Sequence, residues 1–257
     1  MSKASRRARF LMAAVLLLSA VMLGPGCAKR MAILYFDDTY HNFAGQALEE
    51  LHFAYTHVTT TYDFSNAFTS QAWDLVIVDS RTMTFPGDVG LTLIEDFVDK
   101  GARAIVSTHL LEGYDLLWKK FGYDYVSTVD EPIPVWPING DDPLWTEPND
   151  VESSLPLNQA DDPYDESHTE PNAYKGKAYG SGIIMAAFNI YTPANEGAVF
   201  VANSGRTILN AFFLDDADAL NVPIDFDHDG MPDAIEWYMN EIIFVRDAGG
   251  ASVKPSL

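Results

Sequence analysis

The stretch DVGLTLIEDFVDKGARAIVST, Asp88–Thr108, carries two periodicities in one run. In its first part Leu91, Ile94 and Val98 recur at intervals of three and four residues, the spacing of one helical face. Asp88 is placed to cap that helix and Gly101 to end it. The second part, ARAIVST, is a continuous apolar run, as a strand buried on both faces requires. A helix that stops on glycine and passes straight into a buried strand is the repeating unit of a parallel sheet.

The same alternation extends to both sides. MAILYF (Met31–Phe36) and DLVIVDS (Asp74–Ser80) are further buried strands, and THVTTTY between them is β-branched and reads as a strand. FAGQALEELHFAY places Ala44, Leu48, Leu51 and Tyr55 at helical spacing. LLEGYDLLWKKFG reads as a helix ending on Gly122, followed by a short strand, YDYVST. Further on, GSGIIMAAF, GAVFVAN and RTILNAFFL read as strands, with a tight-turn signal, NSG, between the last two. The closing helix, DAIEWYMNEIIFV, can turn Ile235, Tyr238, Ile242 and Val245 toward the sheet. The expectation is an α/β fold: a three-layer, doubly wound, mostly parallel sheet in one domain over residues 31–245, with a loose tail at 246–257.

The first residues read as an address rather than as fold. Lys3, Arg6, Arg7 and Arg9 precede an apolar run from Phe10 to Leu23, too short to span a bilayer comfortably. Residues 1–26 are therefore expected to be a signal peptide. Gly26 precedes Cys27, the chain's one cysteine, which is placed where a lipoprotein would carry its lipid. The expected location is the cell envelope of a bacterium, anchored through Cys27; free secretion after cleavage near Gly26 is the alternative. A single cysteine leaves no internal disulfide, so core packing or a metal must hold the fold. Without the four basic residues of the leader, 12 Lys and Arg face 37 Asp and Glu, a net charge of −25. That surface repels nucleic acid and attracts divalent cations.

Residues 129–174 interrupt the alternation. From Phe121 to Tyr174 there is no Lys or Arg, against 13 acids. DDPLWTEPND and DDPYDESHTEPNAY read as one phrase written twice. The segment is expected either as a solvated acidic loop or as an ordered excursion whose Trp136, Trp145, Tyr164 and Tyr174 serve a protein or carbohydrate ligand.

DFDHDGMPDAIE, Asp225–Glu236, spaces its oxygen donors in a fixed order. Asp225, Asp227 and Asp229 stand at the first, third and fifth places, Gly230 at the sixth, Met231 with its carbonyl at the seventh, Asp233 at the ninth and Glu236 at the twelfth. This is the ligand spacing of a calcium loop, and a hard cation that takes six to eight oxygens needs such a set. Ca²⁺ is the expected cofactor. No helical pattern precedes the loop, and Pro232 has no N–H with which to pair a second loop. The loop resembles the unpaired calcium loops of dockerin and thrombospondin type 3 repeats, and its expected role is to clip the last helix to the sheet.

WDLVIVDS, LIEDFVDKGARAIVST, PLWTEPNDV and SGRTILNAFFLDD together resemble the class I glutamine amidotransferase-like domains, a flavodoxin-like α/β superfamily. That resemblance implies chemistry by a nucleophilic cysteine at a strand–helix turn, helped by a histidine and an acid. Here Ser107, Thr108 and His109 follow the strand ARAIVS, and neither a cysteine nor a G-x-S-x-G elbow stands there. The catalytic residues do not carry over, and the resemblance implies a non-catalytic descendant with a binding role. Two alternatives remain open. Asp37, Asp38, Asp79, Ser107 and His109 gather at the carboxyl ends of the strands and suit an envelope hydrolase. Asp37, Asp38, Asp79 and Thr108 also match the acid pair, phospho-acceptor and hydroxyl of a receiver domain, whose lysine is absent.

Overall fold

A computed structural model describes residues 31–80, 87–108, 111, 114–129, 133–151, 154–155, 173–214 and 224–255. The leader, Cys27, His109, Tyr164 and most of the second acidic phrase lie outside the described residues.

Strands β1 (Ile33–Asp37), β3 (Leu75–Ser80) and β4 (Arg103–Thr108) lie side by side and parallel, in register Ile33↔Leu75↔Arg103. β2 (Tyr55–Val58) pairs parallel outside β1, and β10 (Thr207–Asn210) parallel outside β4. The sheet then continues antiparallel through β9 (Gly197–Ala202), β7 (Ala173–Ala178) and β5 (Tyr123–Val129), in the order β2-β1-β3-β4-β10-β9-β7-β5. β8 (Ile183–Ala187) also pairs with β9 and carries the short β6 (Trp136–Pro137) on its other side.

Alternation along the central strands separates two cores. Leu34, Phe36, Val76, Val78, Ala104 and Val106 face α2 (Thr61–Ser70), α3 (Gly87–Asp99) and α4 (Asp115–Lys120). Ile33, Tyr35, Leu75, Ile77, Ile105 and Ile208 face α1 (Phe43–Glu50) and the last helix, α6 (Asp233–Asp247). Helices on both faces of a sheet with a parallel centre make the expected three-layer α/β fold.

Several elements differ from the sequence reading. THVTTTY divides: the strand stops at Val58, and Thr60 caps α2 by accepting from the Asp63 N–H at 3.1 Å. Phe64 and Phe68, one turn apart, fix α2 to the sheet. YDYVST is not the next parallel strand; it lies at the far edge, antiparallel to β7. The chain reaches that edge through Gly122, whose φ of +78° ends α4 and whose backbone lies against Gly182. The described part of the tail expected to be loose, up to Pro255, is tied to the body. Trp73 and Val253 exchange two backbone hydrogen bonds of 2.8 Å, and the Ala251 N–H donates to Gly101. The apolar Val253 is buried there and holds the end of the chain down.

The described part of the acidic excursion is ordered structure. Asp142 caps α5 (Pro143–Thr146) by accepting from the Leu144 N–H at 2.9 Å. Trp145 meets Trp237 of α6 edge-on, with ring centroids 4.6 Å apart. Asn149 and Asn240 hold the segment by a reciprocal pair: Asn149 N–H to Asn240 Oδ1 at 3.0 Å, and Asn240 Nδ2 to Asn149 O at 2.9 Å. α6 therefore lies between the sheet and this cover, and Trp237, Tyr238, Asn240, Glu241 and Ile242 are all fully buried. Among the described residues, no helix is long and apolar enough to cross a membrane.

Candidate functional site

The acidic loop runs into the first turn of α6. Pro232 precedes the helix with extended backbone (φ −61°, ψ 135°) and donates nothing, as an N-terminal proline should. The loop turns at His228 (φ +61°) and Gly230 (φ +102°), the second a conformation glycine adopts without steric cost. Backbone N–H groups brace the acids from behind. Asp229 donates to Asp227 Oδ1 at 3.0 Å, Gly230 to Asp225 Oδ2 at 3.1 Å and Met231 to Asp229 Oδ1 at 2.7 Å. The Phe226 N–H donates to Asp233 Oδ1 at 3.1 Å, and Asp233 N–H closes the loop on Ile224 O at 2.9 Å.

These bonds bring carboxylate oxygens of Asp225, Asp227 and Asp229 within 4.8 Å of one another. Asp233 and Glu236 enter from the helix, 1% and 3% exposed. Asp225 Oδ1 and Glu236 Oε2 are buried without a hydrogen-bond partner. Burial, and then the charges of Asp229, Asp227, Asp233 and Asp225, push the Glu236 carboxyl up to about 7. Buried acceptors without donors, among several like charges, are costly unless a cation sits between them. An all-oxygen donor set with two orphaned oxygens fits Ca²⁺.

A second polar group lies where the strands end. Asp37, Asp79 and Ser107 are register partners on β1, β3 and β4, and Asn210 continues the row on β10. They follow Tyr35, Ile77, Ile105 and Ile208 on the α6 face, and all four are 5% exposed or less. Asp37 Oδ1 accepts from the Thr39 N–H at 2.9 Å and its hydroxyl at 2.6 Å, and Oδ2 lies 3.4 Å from His57 Nε2. His57 in turn stacks on Tyr35, with ring centroids 5.0 Å apart. Ser107 Oγ donates to Phe212 O at 2.9 Å, and Asn210 Nδ2 to Glu241 Oε1 at 2.9 Å. Burial, then Asp79, raise the hydroxyl pKa of Tyr35 and Tyr238 well above the usual value. Burial also pushes the Glu241 carboxyl up to about 8.

The structure thus brings Asp37, Asp79 and Ser107 together, with Asp38 joined to Asp79 by a 3.3 Å backbone bond. The histidine it places beside them is His57; His109 lies outside the described residues. Tyr35, His57 and Glu241 were not singled out from the sequence, and Tyr238 was read only as a residue facing the sheet. Glu241 left one signal, a carboxyl next to the apolar Ile242 and three residues after Tyr238, on the helix face read as turned to the sheet. Of the aromatic residues expected to face a ligand, Trp145 and Tyr174 are buried, and Trp136 is 37% exposed. One groove, between α3 and α4, is lined by Leu91, Glu95 and Tyr114. Another, of about 600 Å³, lies between β8, α5 and the end of α6. Neither is lined by Asp37 or Asp79.

No protein-family model matches the chain, and no curated protein matches it in sequence. Solved structures do match. A Thermoplasma acidophilum protein described as one subunit of GMP synthase aligns at 11% identity over 84% of this chain and 96% of its own, with a TM-score of 0.50. A glutamine amidotransferase of Thermotoga maritima aligns at 11% identity over 85% and 90%, with a TM-score of 0.47. The glutaminase domain of Trypanosoma brucei CTPS, with bound acivicin, aligns at 6% identity over 88% and 97%, with a TM-score of 0.45. The fold is that of the class I glutamine amidotransferase-like domains. At such identity the likeness is one of architecture, and function rests on this chain's own residues.

Proposed function

We propose that this protein is an exported, calcium-stabilised, non-catalytic α/β domain with a binding role, anchored to the cell envelope by a lipid on Cys27. The observation that carries the calcium reading is the gathering of carboxylate oxygens of Asp225, Asp227 and Asp229 within 4.8 Å of one another, with Asp233 and Glu236 buried in the helix turn that follows. The Met231 carbonyl completes the set. When bound, Ca²⁺ supplies positive charge and no acid–base or redox chemistry. The residues of this chain fix the helix terminus around it and join α6 to the preceding segment. Against catalysis stand the place of the one cysteine, Cys27, directly after the leader, and the burial of the strand-end row beneath α6.

Melting in excess calcium and in chelator tests the stabilising role. Calcium should raise the melting temperature of the wild type, and Asp225→Ala with Glu236→Ala should remove the difference. A wild type that melts alike in both would end the proposal. Fatty-acid labelling tests the anchor, and it should vanish in Cys27→Ser. The strand-end acids keep a hydrolase as the second reading, since Asp37 and Asp79 are buried neighbours and His57 adjoins Asp37. Turnover of an ester, amide, glycoside or phosphoester that is lost in Asp79→Asn would favour that reading instead.

A further inference from the structure

The groove beside the end of α6 has an apolar floor and acidic banks. Ile183 and Met185 of β8, Val201 of β9, and Ile243 and Phe244 of α6 line it. Ile183 is 59% exposed, and Ile138 beyond it is 42% exposed, so the apolar surface runs out of the groove along β8. The Ile138 N–H donates to Met185 O at 2.9 Å, which fixes that continuation to the strand. A volume of about 600 Å³ suits a side chain or two rather than a flat contact.

The charged residues that line the groove, among the described residues, are acidic. Asp142 and Glu147 stand on the α5 bank and Asp247 on the α6 bank, and no lysine or arginine lines it among the described residues. Asp247 is already engaged, since Arg246 donates to it at 2.6 and 3.1 Å. Asp142 uses one oxygen to cap α5. The open anionic bank is therefore Asp142 and Glu147, on a segment from Ile138 to Val151 that contains four acids and no basic residue. Phe244 is the one aromatic residue of the described lining, so the flat platform that a sugar ring would favour is lacking there, and Trp145 is buried out of reach.

We infer that this groove docks a basic, apolar-flanked segment of a partner protein, a lysine or arginine directed to Glu147 and Asp142 with an aliphatic neighbour against Ile183 and Phe244. The inference rests on the binding role proposed above and names the partner's chemistry. A cation over two open carboxylates supplies register and attraction, and the desolvated aliphatic contact supplies the specificity that charge alone does not.

The test uses the full chain, saturated with calcium, and a capped, labelled pentapeptide that alternates leucine and lysine. A matched peptide has glutamate in place of lysine. Binding is read by fluorescence anisotropy at physiological salt. The lysine peptide should bind at least tenfold more tightly than the glutamate peptide. Glu147→Lys should reverse that preference, and Ile183→Asp should weaken the lysine peptide at least tenfold. Both substitutions lie on exposed side chains, and unchanged melting temperatures show that the fold survives them. Equal affinity of the two peptides, or lysine-peptide binding indifferent to Ile183→Asp, overturns the inference, because bulk negative charge would then explain it. Envelope proteins captured equally by wild type and the Glu147→Lys, Ile183→Asp double variant overturn the groove while leaving the binding role intact. Turnover lost in Asp79→Asn would remove the binding role itself.

Discussion

Glu241 lies fully buried on α6, and one of its oxygens accepts a 2.9 Å hydrogen bond from Asn210. Burial raises its carboxyl from 4.5 to about 8. Between those pH values the folded chain holds a proton that the unfolded chain has released. Stability therefore falls as pH rises through this window, by at most about 1.4 kcal/mol per pH unit from this one group. Below the window both states are protonated and the contribution is flat. Glu241→Gln keeps the acceptor for Asn210 and removes the ionisation. Urea midpoints at pH 5 and pH 8, in saturating calcium, should differ less in the variant than in the wild type. Equal slopes would mean that Glu241 is not held neutral. Because the two proteins share the calcium loop, the titration of Glu236 cancels in the comparison.

At the scale of elements, α6 packs against α1, α5, β4 and β10, and its cover is as important as the loop before it. Trp145 packs edge-on against Trp237, and Asn149 is bonded twice to Asn240. Trp145→Ala should cost about 3–5 kcal/mol, as large-to-small changes at buried aromatics do. Trp136→Ala, at a 37% exposed position, should stay within about 0.5 kcal/mol. If the two variants melt alike, the excursion does not hold the helix. Removing the cap of α2 by Thr60→Ala should cost about 1 kcal/mol, measurable as a shift in the denaturation midpoint. These contacts also explain what the sequence disclosed. β1, β3, β4, α3 and α6 were legible because each carries its periodicity within a few residues. The grouping of Asp225, Asp227 and Asp229 was legible for the same reason, since the three stand within five residues. α2 was hidden because its threonines read as strand, although Thr60 and Asp63 were already spaced as a cap. The place of β5 at the far edge follows from its pairing with β7, some fifty residues away, and local pattern says nothing of that. The excursion read as loop because its acids and prolines dominate its composition, while its partners on α6 lie about ninety residues on. The buried row from Tyr35 to Glu241 draws on five elements and has no local signature.

Charge is a property of the whole molecule, and here it is lopsided. The chain carries 37 Asp and Glu against 16 Lys and Arg, a net charge of −21. Among the described residues, ion pairs form at exposed or half-buried positions, such as Lys120 with Asp99 at 2.8 Å and Lys175 with Glu196 at 2.7 Å. Such pairs are worth little each and leave the excess of acid uncompensated. Like charges confined to a folded surface repel more strongly than the same charges on an extended chain, so the excess opposes folding. Salt screens that repulsion over about 10 Å at 0.1 M. In chelator, raising sodium chloride from 10 mM to 0.5 M should therefore increase the melting temperature. With calcium bound, the negative charge of the acidic loop is lowered by two, and the same salt step should raise the melting temperature by less. Potassium in place of sodium should give the same curve, since screening depends on ionic strength and not on the ion. A melting temperature that ignores salt in chelator would show that the acids are spaced widely enough not to oppose the fold. The calcium effect would then have to come from ordering the start of α6 alone.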